Sequence, residues 1–500
     1  MKNSIDKLRD ASIETILERS DLRLLSAREM HDLVITGRLR AEKLLEYAMS
    51  QIKACDSGAF VEVDKSSLKW AQAIDQMVTE GRGENLSPIT GVIGTAKDTF
   101  SNAGVARQFA GTRNPGSHPK KQWKAKQDAA MVEWMRDHGL LLTATTEASN
   151  LALDTQVHNV RHPYNETLAT RGSSAGAAVA ARLLGGIHLT SDAAGSARAP
   201  MVYNSDTCGL MLPYSQEWIQ GHKPPMFDDP AGLINFGRVG LASQYVDDLS
   251  LISQALGFEN GALNKRLLLI DEFGNLNLNA DNANALDKGV QILRDGGFAI
   301  DRMERFGDFE AAELMHISGQ AIGARIAASI KSGPWKKPFF KAIWSRTLAS
   351  VIIGQMHDHY SKQAKRFAQG NPGQFLSGVL EGLRDWERCV EETDKARDRM
   401  SNVFRGVIEN GYDGIIMPLD HAGQFKKCET LKPIDGQPYF DATAGLPVIA
   451  NIAPQTSALA VPTGHFSGLP NGVQIVSSGN KAVSNVLSIG QIIQSNRIIK

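Results

Sequence analysis

Residues 128–192 restrict the fold most, because helix and strand patterns alternate there. "DAAMVEWMRDHG" (128–139) opens on a capping residue, Asp128, repeats its apolar residues at helical spacing and stops at Gly139. "LLLTATT" (140–146) follows as a buried strand. Residues 176–184 read as an alanine-rich helix, and "GGIHLTSD" (185–192) returns to extended chain. Upstream, the β-branched run in "SPITGVIGTAKD" (87–98) predicts a strand ending at Lys97. Residues 26–55 read as a helix pair, with Ser26 and Glu29 at capping-box spacing and Gly37 as a stop. Alternation of this kind predicts an α/β layered fold.

Residues 305–410 break the alternation and read as mostly helical. "YDGIIMPLD", "SALAVPTG" and "NGVQIVSS" then return as strands. Those late strands are expected to rejoin the early sheet. The organisation so predicted is one large α/β/α domain over 1–500, its mixed, mostly parallel twisted sheet covered by helices on both faces. Within it, 1–70 hold N-terminal helices, 85–260 the catalytic core, 305–410 a helical insertion capping the substrate pocket, and 411–500 the return to the core sheet.

The 500 residues carry 54 basic and 54 acidic side chains. That balance gives no basic excess of the kind that nucleic-acid binding calls for. The opening, "MKNSIDKLRDASIETILERSDLR", is charged throughout and does not read as a secretory signal. No run of about 18 apolar residues occurs, so no membrane span is expected. Cys55, Cys208, Cys389 and Cys428 are scattered without a C-x-x-C and read as reduced thiols, with no metal site. A cytoplasmic protein is the expectation.

Three features carry chemistry. In "ATRGSSAGAAVAARLL" (169–184), Gly172, Ser174 and Gly176 fit G-x-S-x-G, the spacing of a nucleophile elbow. An elbow needs a strand running into the serine, but "HNVRHPYNETLATR" is polar and rich in turn formers. The second feature is "LTSDAAGSARAP" (189–200), where small residues let successive N–H groups face one concavity. Taken alone it reads sooner as a tight turn between two sheet elements. The third is Lys97. At the end of an apolar strand its amine loses hydration, which favours the neutral base; alone it also reads as a rim lysine. A lone S-x-x-K at Ser66–Lys69 lacks partner motifs and is set aside.

Together, "GVIGTAKD", "RGSSAGAAVAA" and "TSDAAGSARAP" resemble, in order and approximate spacing, the motifs of the amidase signature family: roughly G-(I/V)-P-x-x-x-K-D, G-G-S-S-G-G-S and T-D-x-G-G-S-(I/V)-R-x-P. The similarity extends over about 25–260 and 400–495. The resemblance implies a triad of Lys97 as base, Ser173 as bridging serine and Ser196 as nucleophile. It also implies an oxyanion hole from the N–H groups of Ala193, Ala194, Gly195 and Ser196. Ser174, Asp192 and Arg198 would support the site, the last two as an ion pair holding the nucleophile loop. No metal or organic cofactor is implied.

The motifs also depart from the family. Arg171 replaces the first glycine of G-G-S-S-G-G; Ala175 and Ala177 stand at its fifth and seventh positions. Ser191 replaces the threonine before Asp192, and Ala194 a glycine. The proline of G-(I/V)-P is absent. None of these removes a triad residue. The expected activity is cleavage of a carboxylic amide C–N bond in a small molecule: a linear or cyclic oligoamide, an aryl amide, a carbamate or an ester. Ala193–Ala194 resembles a subset acting on nylon-type oligoamides. Acyl transfer to an amine is an alternative, as is an amidase subunit of a larger amidotransferase assembly; a homodimer is allowed. "GPWKKPFFKAIW" (333–344) is basic and aromatic; it reads first as a solvated connection, otherwise as a segment touching a membrane surface or as a pocket wall offering Phe339, Phe340 and Trp344 beside Met315.

Overall fold

The computed structural model describes residues 25–103, 105–107, 123–149, 152, 155–157, 159–220, 237–259, 261–271, 277–303, 306–307, 309, 311–332, 374–427, 434 and 439–497. The segment 333–344 with its three aromatic residues, and Cys428, lie outside them. Helices α1 (Ala27–Ile35) and α2 (Ala41–Ala54) form the expected pair. Ser26 and Glu29 make the reciprocal capping box. Strand β1 (Phe60–Val63) and α3 (Ser67–Thr79) lead to β2 (Ile93–Lys97), which ends on Lys97 as read. A two-stranded β3 (Ala106–Arg107) and β4 (Trp123–Lys124) stands apart. Helix α4 (Ala130–Asp137) is capped differently from the reading. Ala129 is its N-cap, and Asp128 instead accepts from Ala103 N at 2.6 Å and pairs with Arg136.

Then follow β5 (Leu141–Thr146), α5 (Ala175–Leu184), β6 (Ile187–Asp192), the short α6 (Ala199–Ser205), β7 (Cys208–Met211), β8 (Arg238–Ser243) and α7 (Val246–Ala255). Next come β9 (Arg266–Leu269), α8 (Ala280–Asp295), β10 (Ala299–Arg302), α9 (Ala311–Ser332), α10 (Gln374–Arg384) and α11 (Trp386–Glu409). Strand β11 (Gly414–Pro418), α12 (Tyr439–Ile452), β12 (Thr456–Phe466), β13 (Leu469–Ser478) and α13 (Ala482–Ser495) complete the chain.

Eleven strands form one sheet in the order β1-β5-β2-β6-β8-β7-β12-β13-β11-β9-β10. It is mixed, as read, and the late strands rejoin the early ones. The expected parallel majority is not found. Only β2–β5, β2–β6, β9–β11 and β9–β10 pair in parallel; every other pairing in the sheet is antiparallel. A parallel pair needs a long crossover, and α4, α5 and α8 supply such crossovers towards the two ends. In the centre the strands pair antiparallel. Ser467 and Gly468, both at positive φ, close a two-residue hairpin between β12 and β13.

Side chains alternate across the sheet. Leu210, Ile416, Leu459 and Ile475 enter the core under α1–α4, α7, α8 and α13, while Met211, Ile415, Met417, Ala458 and Val476 enter the core under α9–α12. Both faces are thereby covered. Among the described residues no helix is long and apolar enough to cross a membrane.

Asp248, in the first turn of α7, ties the N-terminal helices to this frame. Its carboxyl accepts from Ala27 N at 2.7 Å and from Ser243 Oγ at 2.8 Å. Burial, with the charges of Asp247 and Glu29, pushes it up to about 7. The unfolded chain ionises it near pH 4, so the folded state holds the extra proton and loses stability as pH rises through about 7. Asp248→Asn removes that titration and keeps an acceptor for Ala27. Thermal melts should show wild type losing about 2–3 °C more than the variant between pH 5 and 8.5; parallel curves would refute this role.

Candidate active site

The carboxyl ends of β2 and β6 lie side by side, where open α/β sheets commonly place their chemistry. Lys97 ends β2 and Asp192 ends β6. The segment 169–174 enters α5 without a strand, Ser174 being the helix N-cap. The elbow geometry is therefore absent. Ser196 lies on the turn between β6 and α6.

Lys97 is fully buried. Its Nζ lies 2.7 Å from Ser173 Oγ, 2.7 Å from Ser174 Oγ and 3.0 Å from Ser191 Oγ. Burial lowers its ammonium to about 7, against Asp192 and Asp98, which favour the charged form. The amine is thus poised to act as a base near neutrality. Ser173 N donates to Ser196 Oγ at 3.2 Å. The peptide bond Gly172–Ser173 is cis. The structure therefore brings Lys97, Ser173 and Ser196 together. Ser173 and Ser174 are sealed from solvent, while Ser196 is only partly buried. Of these serines, Ser196 alone is open to an incoming molecule.

Asp192 shapes the turn that carries Ser196. Its carboxylate accepts from Gly195 N at 2.8 Å and Ala197 N at 3.0 Å, and forms a two-pronged pair with Arg198 at 2.9 Å on each oxygen. Burial alone would raise this carboxyl, but Arg198 and the two amides hold it below its usual range. Gly195 has φ +95°, and a Cβ there would meet Pro447 Cβ at 2.5 Å; both exclude a side chain. Gly195 N–H, one of the four expected oxyanion donors beside those of Ala193, Ala194 and Ser196, points at Asp192 instead. These three residues are partly exposed.

Several residues of the site carry no clear mark in the sequence. Ser191 reads there only as a departure from threonine, yet its hydroxyl faces Lys97 and lies 3.4 Å from Thr99 Oγ1. Arg198 also donates to Gln474 Oε1 at 2.6 Å, Asn451 Oδ1 at 2.8 Å and Pro447 O at 2.9 Å. Asn451 in turn donates to Asp192 at 3.0 Å. A polar residue within the apolar runs "LPVIANIA" and "GVQIV" is the available signal, since a buried amide needs partners.

The family model described as Amidase matches residues 43–211, the segment containing Lys97, Ser173 and Ser196. The A subunit of the glutamyl-tRNA(Gln) amidotransferase of Acidothermus cellulolyticus is 28% identical over 233 residues, 45% of this chain and 41% of that protein. The chain thus spans less than half of that relative. The corresponding protein of Clostridium botulinum (strain Kyoto / Type A2) is 20% identical over 91% of this chain and 94% of its own length. Among solved structures, a bacterial aryl acylamidase of the amidase signature family superposes with a TM-score of 0.73 at 15% identity, covering 95% of this chain and 97% of that one. Residues 43–211 thus match the Amidase family model, and the chain has the amidase signature fold.

Proposed function

We propose that this protein hydrolyses the C–N bond of a small carboxylic amide through an acyl-enzyme on Ser196. The observation that carries the reading is a buried lysine, lowered to about 7, touching Ser173, whose own N–H meets the partly exposed Ser196 hydroxyl. Neutral Lys97 draws a proton from Ser173, and Ser173 one from Ser196. Ser196 Oγ attacks the carbonyl carbon. The N–H groups of Ala193, Ala194 and Ser196 take the developing oxyanion. Ser173 returns a proton to the departing nitrogen, because an amide anion is a poor leaving group. Water then attacks the acyl-enzyme along the same proton path.

Asp192 and Arg198 hold the nucleophile turn. Ser174 and Ser191 orient Lys97. Ala193 and Ala194 pack against the apolar cluster that includes Met315 of α9 and Leu446 of α12. That contact supports reading 305–410 as the cap of the acyl pocket. The test is intact-mass and peptide mapping after exposure to a panel of linear and cyclic amides, aryl amides, carbamates and esters. An acyl mass on the peptide holding Ser196 is expected; an adduct on another residue, or none across the panel, overturns the reading.

Similarity to one component of an amidotransferase over nearly its whole length favours a second reading, an amidase component of a larger assembly. Amide hydrolysis by the isolated chain at ordinary enzymatic rates counts against it.

A further inference from the structure

Arg171 stands two positions before Ser173, where the resembling motif has glycine. Its side chain is 2% exposed and has a built seat. The backbone is gripped from α6, the helix that follows the nucleophile: Arg171 N donates to Asn204 Oδ1 at 2.9 Å, and Asn204 Nδ2 donates to Arg171 O at 2.8 Å. The guanidinium pairs with Asp420 and donates to Gly423 O at 2.6 Å. It lies between the rings of Tyr203 and Phe425, 5.0 and 5.1 Å from their centroids.

One further partner arises from a sequence irregularity. Pro447 interrupts α12 and has no N–H for the carbonyl four residues back. That carbonyl, Thr443 O, accepts from Arg171 at 3.4 Å. The same residue's hydroxyl takes Thr155 Oγ1 at 3.1 Å, and Thr155 O takes Gly172 N at 2.8 Å. Asp420 is itself fixed by Gly423 N at 2.8 Å and Tyr203 Oη at 3.1 Å. The segment carrying Ser173, the helix after Ser196 and the segment beyond β11 therefore meet on one side chain.

We propose that Arg171 is a positioning residue: it fixes Ser173 against Ser196 and so sets the proton transfer to the leaving nitrogen. The inference rests on the Ser196 acyl-enzyme reading. Glycine at this position would keep the two backbone bonds to Asn204 but lose the guanidinium's bonds to Asp420, Gly423 and Thr443. A shift of about an ångström in a reacting group costs on the order of 10²-fold in rate.

Ser173 relays a proton during attack and deacylation for either substrate, but its delivery of a proton to the leaving group matters for an amide and little for an ester whose leaving group is p-nitrophenolate. The test compares both substrate types, per active site counted from the p-nitrophenol burst. Arg171→Met should lower kcat on the amide by about 10²-fold with KM little changed, and on the ester by about tenfold, the part of the loss that attack and deacylation share. Arg171→Lys, which keeps the charge towards Asp420, should recover part of the amide rate. Arg171→Met/Asp420→Leu removes both buried charges together, which folds tolerate better than one left unpaired; it should show the same amide-selective loss. Equal losses on amide and ester, or none, overturn the positioning role. If the wild type shows no burst and no adduct on Ser196, the hydrolase reading itself falls, and this inference with it.

Discussion

Ser196→Ala is expected to lower kcat on any amide that the wild type cleaves by about 10⁵-fold or more, the scale on which losing a serine nucleophile acts in other hydrolases. Substrate binding should survive. Ser196 is partly exposed, and its hydroxyl accepts from Ser173 N, so alanine leaves an opening beside an N–H instead of a collapsed core. The comparison that decides is Ser174→Ala. The G-x-S-x-G spacing names Ser174 as nucleophile, but its hydroxyl is sealed against Lys97 and distant from solvent. Removing it takes one of three hydroxyls from around the amine and should cost about 10–100-fold through altered basicity. Single-turnover assays of both variants, with calorimetric binding of an uncleaved amide, read the difference. Retention of more than about 1% of kcat in Ser196→Ala would place the nucleophile elsewhere.

Elements with strong local patterns are legible in the sequence because their causes are local. Ser26 and Glu29 cap α1 within one turn, and the apolar run of β5 sits in the sheet as read. Asp128 reads as a cap but is not one, because a distant amide, Ala103 N–H, and Arg136 compete for its carboxylate. The parallel bias fails because strand direction in the centre is set by the β12–β13 hairpin and by the antiparallel pairing of β6, β8, β7 and β12, not by the helix–strand alternation of residues 128–192. At the site, Lys97, Ser173 and Ser196 are legible because three motifs occur in order. What holds them is not. Asn451, Gln474, Asp420 and Thr443 reach the site from more than 200 positions beyond the motif residues they bind. Arg171 reads as a mere departure from a glycine; its partners become visible only when α6 and the segment after β11 are folded around it.

Lys97→Met should remove the base and with it about 10³–10⁴-fold of kcat/KM on an amide, the usual range for a general base. The pH profile tells this loss from misfolding. In the wild type, kcat/KM should rise about tenfold per pH unit up to about 7 and level off above, because only the neutral amine accepts the proton from Ser173. That limb should vanish in the variant. Lys97→Arg should not restore it, since a guanidinium stays protonated. The variant's stability should change the opposite way from its activity. An amine lowered from 10.5 to about 7 opposes folding most below pH 7, where the buried group is charged, and least as pH approaches 10.5, where the unfolded chain also loses its proton. Methionine fills a similar volume without a charge to bury. The variant should therefore melt above wild type at pH 6, with the gap narrowing at pH 9. A wild-type profile flat from pH 5 to 9, or a Lys97→Met protein that cleaves amides with the wild-type limb intact, would remove the lysine from the mechanism and leave Ser173 without its proton acceptor.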